Sequence, residues 1–204
     1  SLIPPAYSLH VMRDFLALFE KEDLKKKRGH AGSRKISERV FDDQTLRSLE
    51  RLHSRSAFDT LDSIVSTGKE ANVFYGERGG SGVAVKIYGY ETTEFRNMGD
   101  YVRGDPRFPS WKNTRHLTDL WCQKEFKNLM RVCGLIDCPK PIDFLGNVLV
   151  MEFIGDEGVP AHRLKDVPPP NPEESYKALI EFISLMYADR LVHAGQRRQR
   201  RPGL

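Results

Sequence analysis

Apolar and polar positions change period twice along this chain. Over 9–27, Val11, Phe15, Leu18 and Phe19 recur at i, i+4, i+7 and i+8, which predicts a helix with one apolar stripe. Residues 28–37 are polar and carry two glycines, a loop by composition. A second helix is expected over 43–55, capped by Asp42 or Asp43, with Leu46, Leu49 and Leu52 on its apolar face. The period then shortens. Residues 64–65, 71–75 and 83–88 are short β-rich runs. Gly79-Gly80-Ser81-Gly82 joins the last two as a hairpin. Residues 89–113 hold Gly89, Gly99, Gly104, Pro106 and Pro109 and read as a long loop. Helical spacing returns over 114–132, with Leu117, Leu120, Trp121, Phe126, Leu129 and Met130 as the apolar set. Two strands, 142–145 and 148–153, flank a Gly146-Asn147 turn. After a proline-rich connector, residues 173–190 read as a helix with Leu179, Ile180, Ile183, Leu185 and Met186 inside. No internal repeat is seen.

This order is helix, helix, three strands, helix, two strands, helix. Short strands with one inserted helix predict an α+β lobe around an antiparallel sheet, not a parallel β-α-β fold.

Composition narrows the class. At 39% hydrophobic and 29% charged, the chain has enough apolar content to fold and is not a disordered polymer. No apolar run approaches the length of about 20 residues that a membrane span needs. No signal peptide opens the chain, which starts at Ser1 without a Met. Cys122, Cys133 and Cys138 form an odd set without C-x-x-C spacing, so a disulfide framework or a metal site is not expected. Free thiols in a reducing, cytoplasmic setting are the expectation.

The net charge is +4, and Arg197, Arg198, Arg200 and Arg201 supply all of it within 195–204. A second basic run lies in 21–39, with eight basic and three acidic side chains, including Lys25-Lys26-Lys27-Arg28. Such runs can meet RNA phosphates through counterion release, and they also occur as plain solvated helix ends.

Lys86 is the first candidate for chemistry. Alternation in 83–88 puts Val83, Val85 and Ile87 on one face and Ala84 and Lys86 on the other. A lysine in a buried-looking strand needs an anionic partner, since leaving it unpaired costs several kcal/mol. In protein kinases a strand lysine of this kind reaches the α- and β-phosphates and pairs with a glutamate on the next helix. Glu125 suits that position, and Glu70 and Glu91 are alternatives. The turn Ser66-Thr67-Gly68-Lys69-Glu70-Ala71 offers one glycine, two hydroxyls and a lysine between strands, which can present donors to phosphate. By motif alone it is neither of the two glycine-rich phosphate signatures and reads equally as a hairpin turn. Met151-Glu152-Phe153-Ile154-Gly155 ends a strand and enters a loop.

These pieces, in this order, resemble the RIO family of atypical protein kinases. The matching runs are Ser66-Thr67-Gly68-Lys69-Glu70-Ala71, Val85-Lys86-Ile87-Tyr88, Gly104-Asp105-Pro106-Arg107-Phe108, and Lys124-Glu125-Phe126 with Asn128-Leu129. Met151-Glu152-Phe153-Ile154-Gly155, Leu164-Lys165-Asp166 and Leu191-Val192-His193-Ala194 fit as well. The helical start resembles the subfamily without a winged helix. The resemblance implies a bilobal ATP-binding fold and a serine/threonine kinase or ATPase acting in maturation of the small ribosomal subunit. It implies a division into 1–40 (helix and basic linker), 41–155 (kinase N-lobe with hinge), 156–194 (start of the C-lobe) and 195–204 (a basic tail foreign to the family). It assigns Ser66, Thr67, Gly68 and Lys69 to the phosphate loop, Lys86 to the phosphates and Glu125 to the ion pair. Met151 would wall the adenine pocket, and the Glu152 and Ile154 backbones would meet the adenine edge. Loop 89–113 would be the family's flexible loop, with Thr92, Thr93 and Ser110 open to modification.

One departure bears on mechanism. The family follows His-Ala with a catalytic aspartate, then an asparagine and a metal-binding aspartate. Here Gly195 follows Ala194, and 195–204 hold no acid. The resemblance implies ATP and Mg²⁺ as cofactors, but the Mg²⁺ ligands are missing from these residues, so the chain as written is expected to be inactive. It is also expected to expose apolar surface normally covered by the rest of the larger lobe. The rival reading is a non-catalytic adaptor that binds RNA of the pre-ribosomal small subunit through 21–39 and the arginine tail.

Overall fold

The computed structural model describes residues 41–90, 99, 102 and 108–191. The helix expected over 9–27, the basic run 21–39, Glu91, Thr92, Thr93, residues 104–107 and residues 192–204 lie outside the described residues.

Helix α1 (Asp43–Ser54) begins where the Asp42 carboxylate accepts the Thr45 N–H at 2.8 Å, one of the two caps expected from sequence. Leu49 and Leu52 are fully buried along its inner face. Three strands follow: β1 (Thr60–Thr67), β2 (Ala71–Arg78) and β3 (Ser81–Tyr88). β1 is longer than its apolar pair Ile64 and Val65 suggests. Its register with β2 shifts twice, between Leu61 and Ser66, which breaks the alternation that would have announced the strand. The β2–β3 hairpin turns on Gly79 and Gly80, both at positive φ (+56° and +77°), the arrangement that matches strand twist. Gly76 is required differently: a Cβ there would run into the Thr60 carbonyl oxygen across the pair.

Helix α2 (Thr114–Val132) is capped by the Asn113 side chain, which accepts the His116 N–H at 2.9 Å. β4 (Pro141–Leu145) and β5 (Val148–Glu152) complete an antiparallel sheet in the order β1-β2-β3-β5-β4. A small ribbon not foreseen from sequence follows, β6 (Gly155–Asp156) with β7 (Val159–Pro160). Helix α3 (Pro172–Ala188) closes the described chain. Among the described residues the architecture is the expected α+β lobe, with α2 inserted before the last two sheet strands; Gly99 and Val102 are helical, within the stretch 89–113 expected as a loop.

The sheet buries both faces. Val83, Val85 and Ile87 join Phe74, Val148 and Val150 against α1, with Leu49, Leu52 and Phe58. Ala71, Tyr88 and Leu149 face α2, with Leu117 and Cys122. Burying a side chain of this size contributes about 1.5–3 kcal/mol, so the two clusters hold the lobe together. A buried polar tie crosses the first cluster's edge. Asn147 Nδ2 donates to Thr45 Oγ1 at 2.9 Å and to the Tyr88 carbonyl at 2.7 Å.

Two expectations need correction. Spacing puts Met130 in the apolar set of α2, but it is 57% exposed, and Thr118 and Cys122 are buried instead. The stripe of α2 that meets the sheet is therefore offset toward its N-terminal half. Helix α3 was expected to bury Leu179, Ile180, Ile183, Leu185 and Met186, but none of its residues is buried. Leu179 and Ile180 are nearly half exposed, because no described element covers that face. No helix among the described residues is long and apolar enough to cross a membrane.

Candidate functional site

Strand β3 aims Lys86 at the α2 face of the sheet, opposite Val85 and Ile87, as period-two alternation requires. Its register partners are Val73 on β2 and Leu149 on β5. Helix α2 lies over this face and presents Glu125. Lys86 Nζ donates to Glu125 Oε1 at 2.7 Å and to Oε2 at 2.9 Å. The two side chains are 22% and 28% exposed, so the pair is shielded yet open on one side. An ammonium has three N–H donors, and two are spent on Glu125. The third remains for an anion.

Tyr88 touches both members of the pair. Its hydroxyl donates to Glu125 Oε2, and its ring centroid lies 4.8 Å from Lys86 Nζ. Burial, and then the charge and hydrogen bond of Glu125, push the Tyr88 phenol well above its ordinary value. It therefore stays a hydrogen-bond donor at any physiological pH. Cys122, one turn before Glu125, is fully buried. Burial first, then the Glu125 and Asp119 charges, push its thiol up, so it packs as a protonated apolar group.

Contacts at the start of α2 set its position. Arg115 bridges to Asp42 at 2.6 Å and stacks on Tyr90, its Cζ 4.0 Å from the ring centroid. The Tyr90 hydroxyl donates to Asp119 Oδ1 at 2.8 Å. Phe108 stacks on Trp121 with centroids 5.9 Å apart, and Lys124 Nζ sits 5.3 Å from the Phe108 ring.

Among the described residues, no group of three or more His, Cys, Asp or Glu side chains could hold a metal ion.

The RIO domain family matches residues 72–195, more than half of the chain. The chain belongs to the RIO family. It is 38% identical over 177 residues to the RIO-type serine/threonine-protein kinase Rio1 of Methanocaldococcus jannaschii, covering 86% of this chain and 61% of that protein. Serine/threonine-protein kinase RIO1 of Saccharomyces cerevisiae is 34% identical over 220 residues, covering 92% and 45%. The Homo sapiens protein of that name is 37% identical over 165 residues, covering 77% and 29%. The chain thus spans 61% or less of these curated relatives. Among solved structures, the Rio2 kinase of Chaetomium thermophilum matches with a TM-score of 0.51 at 23% identity, over 68% of this chain and 40% of that one. Its ADP/Mg²⁺-phosphoaspartate complex matches with a TM-score of 0.53 at 20% identity, over 71% and 41%. These likenesses show a kinase-like fold.

In this RIO domain, Lys86 and Glu125 are brought together across 39 residues. Glu70 is not the partner: it lies exposed in the turn, and its carbonyl accepts the Gly89 N–H at 3.0 Å. Ser66, Thr67, Gly68 and Lys69 are all exposed at the β1–β2 turn. Ser66 pairs with Val73, which pairs with Lys86, so the turn begins two strands away, about 10 Å at the usual strand spacing. Gly68 does not offer its N–H outward, since it donates to the Ala71 carbonyl at 2.9 Å. The two hydroxyls and the Lys69 amine are side-chain donors at the turn.

Met151 pairs with Ala84 and so shares the face of Lys86, two residues along the strand. The Glu152 N–H donates to the Lys140 carbonyl at 2.8 Å, and the Glu152 side chain accepts the Lys140 N–H at 3.2 Å. The Ile154 carbonyl accepts the Ala161 N–H at 2.9 Å, and its side chain is half exposed. Glu152 pairs with Val83 at the end of β5, and among the described residues no backbone acceptor takes the Ile154 N–H. Tyr88 is a member of the site not expected from sequence. The signal was present, since Tyr88 sits two residues from Lys86 and must share its face.

Proposed function

We propose that this RIO domain is the nucleotide-binding part of a serine/threonine protein kinase or ATPase of small-ribosomal-subunit maturation, working in the cytoplasm. The observation that carries the nucleotide reading is the Lys86–Glu125 pair, shielded, bidentate and with one donor to spare. The ribosomal assignment rests on the family resemblance. ATP supplies the phosphoryl group. Lys86 meets its phosphates, and Glu125 holds the ammonium where a free lysine would swing through many rotamers. The hydroxyls of Ser66 and Thr67 and the amine of Lys69 add donors from the exposed turn. Met151 forms apolar wall for the base, and the Glu152 carbonyl and Ile154 N–H meet its edge as acceptor and donor.

The 204-residue polypeptide is proposed to bind nucleotide without transferring its phosphoryl group. Gly195 offers no carboxylate at the position after Ala194 where a base is expected.

The test is titration of the 204-residue chain with a fluorescent ATP analogue, displaced by ATP, alongside a phosphate-release assay. Lys86→Ala loses a charge-assisted contact of about 1.5–3 kcal/mol, so affinity should fall by about 10- to 150-fold. Circular dichroism checks that the variant is folded. Unchanged affinity in folded Lys86→Ala would remove the site. Phosphate release above the protein-free blank would remove the claim of inactivity.

A further inference from the structure

Three cysteines without paired spacing gave no reason to expect a bond between them, yet the fold brings two together. Cys133 is the C-cap of α2, and Cys138 lies in the segment that enters β4. Their sulfurs are 3.0 Å apart. Cys133 Sγ also lies 3.5 Å from the Pro139 carbonyl oxygen. Both thiols are free and half-buried, whereas Cys122 is buried on the inner face of α2. A disulfide needs its sulfurs at about 2.0 Å, so roughly 1 Å of approach separates this dithiol from a bond.

We infer that Cys133 and Cys138 form a reversible dithiol–disulfide site, a cross-link that a peroxide closes and a small thiol opens. In the forward step, the thiolate of one cysteine attacks a peroxide oxygen. The O–O bond breaks, hydroxide leaves, and the sulfur becomes a sulfenic acid. The second thiolate attacks that sulfur, the S–S bond forms and the S–O bond breaks, releasing a second hydroxide. Two thiols lose two electrons and two protons in all, and hydrogen peroxide becomes two waters.

Position gives the site its interest. Cys133 lies eight residues, about two turns, beyond Glu125 on the same helix axis. Cys138 lies two residues before Lys140, whose backbone exchanges hydrogen bonds with Glu152. The bond would therefore pin the end of the helix that holds Glu125 to the segment entering β4, whose Lys140 is hydrogen-bonded to Glu152. Burial, and then the hydrogen bond and charge of Cys133, push the Cys138 thiol up to about 12. Attack needs the thiolate, so closure should be slow at neutral pH and faster as pH rises.

The experiment uses the folded 204-residue chain, with no substitution that could disturb folding. The chain is treated with hydrogen peroxide, unfolded, alkylated with N-ethylmaleimide and digested with trypsin. Cys122 falls in the peptide 116–124. Cys133 and Cys138 share the peptide 132–163, since Lys140 precedes a proline. The expected result is a 132–163 peptide that is about 2 Da lighter than its reduced form and carries no alkyl group, restored to two alkyl groups by prior dithiothreitol. Peptide 116–124 should remain alkylated. Two alkyl groups on 132–163 after peroxide, higher acids on either cysteine without the bond, or a cross-link to 116–124 would each overturn the proposal.

Discussion

Replacing Glu125 with glutamine keeps the side chain's length but removes its charge and turns one acceptor oxygen into a donor. Three donors now converge on two carboxylate oxygens: Lys86 Nζ on both, and the Tyr88 hydroxyl on Oε2. In Glu125→Gln the new NH₂ must face one of them, donor against donor. Hydrogen bonds to charged groups contribute about 1.5–3 kcal/mol each, and losing one member of a buried pair costs about 3–5 kcal/mol. This pair is about a quarter exposed, so water relieves part of that penalty. A net loss of about 2 kcal/mol follows, which for a domain of this size lowers Tm by about 4–8 °C. Tyr88→Phe keeps the ring beside Lys86 and removes only the hydroxyl, at about 1 kcal/mol. Because the hydroxyl serves Glu125, the double variant should lose less than the sum of the two singles, by about 0.5–1 kcal/mol. Thermal unfolding by circular dichroism of the four proteins reads all of this. A Glu125→Gln midpoint within about 1 °C of the parent, or strict additivity, would refute the view that these three side chains act as one unit.

Three further outcomes are expected. Burial holds the Asp119 carboxyl above its ordinary value of 3.8, with the Tyr90 hydrogen bond and the Arg115 charge opposing. The folded state therefore binds the proton more tightly, and stability falls as pH rises from 3.8 through the folded value. Asp119→Asn keeps an oxygen for Tyr90 and should flatten that part of the pH–stability curve; an unchanged slope would count against it. Gly76→Ala drives a Cβ into the Thr60 carbonyl and should cost about 1–3 kcal/mol, read as a lower urea midpoint. An unmoved midpoint would mean that β1 can slide away freely. The combined change Leu179→Ser and Ile180→Ser should reduce binding of a hydrophobic dye while changing stability by less than about 0.5 kcal/mol, since both side chains are already open to solvent. A large drop in Tm would show that this face is covered after all.

The parts of the fold that were legible in sequence are those where one strong local signal acts alone. Asp42 before an apolar spacing of three gives α1, the Gly79-Gly80 pair gives the hairpin, and alternation in 83–88 gives the facing of Lys86. β1 was under-read because Asp62 and Ser63 interrupt its apolar pattern and its register with β2 is irregular. The ribbon of β6 and β7 was missed because two-residue strands leave no period to detect. In α3 the period was right and the burial was wrong, since periodicity reports an apolar face but not what lies against it. At the candidate site, Lys86 was legible from its strand, while its partner was one of three glutamates until α2 was placed. The contact between Cys133 and Cys138 was invisible for the same reason: it depends on where a helix ends relative to the next strand.

What places Glu125 is not the sequence around it. The Lys86 contact closes a loop of 39 residues, and its energy alone must offset the entropy of ordering two long side chains. The helix has to be delivered to the sheet by something else. Three contacts do this at its first two turns, Arg115 to Asp42, Arg115 to the Tyr90 ring, and Asp119 to the Tyr90 hydroxyl, and each reaches an element outside α2. Asp42 also caps α1, so one carboxylate fixes the start of one helix and tethers another. Helix α1 is fixed in turn by Thr45, which Asn147 ties to the Tyr88 carbonyl. Tyr88 then closes the circuit, because its side chain reaches Glu125. These polar groups, buried at Thr45 and Asn147 and partly exposed at Arg115 and Asp42, thus form a path from the α1 cap to the lysine–glutamate pair. Its members are satisfied by one another, which is the condition under which a buried polar network specifies geometry rather than weakening a core. On this reasoning α1 belongs to the machinery that positions Glu125, although no residue of α1 touches the pair.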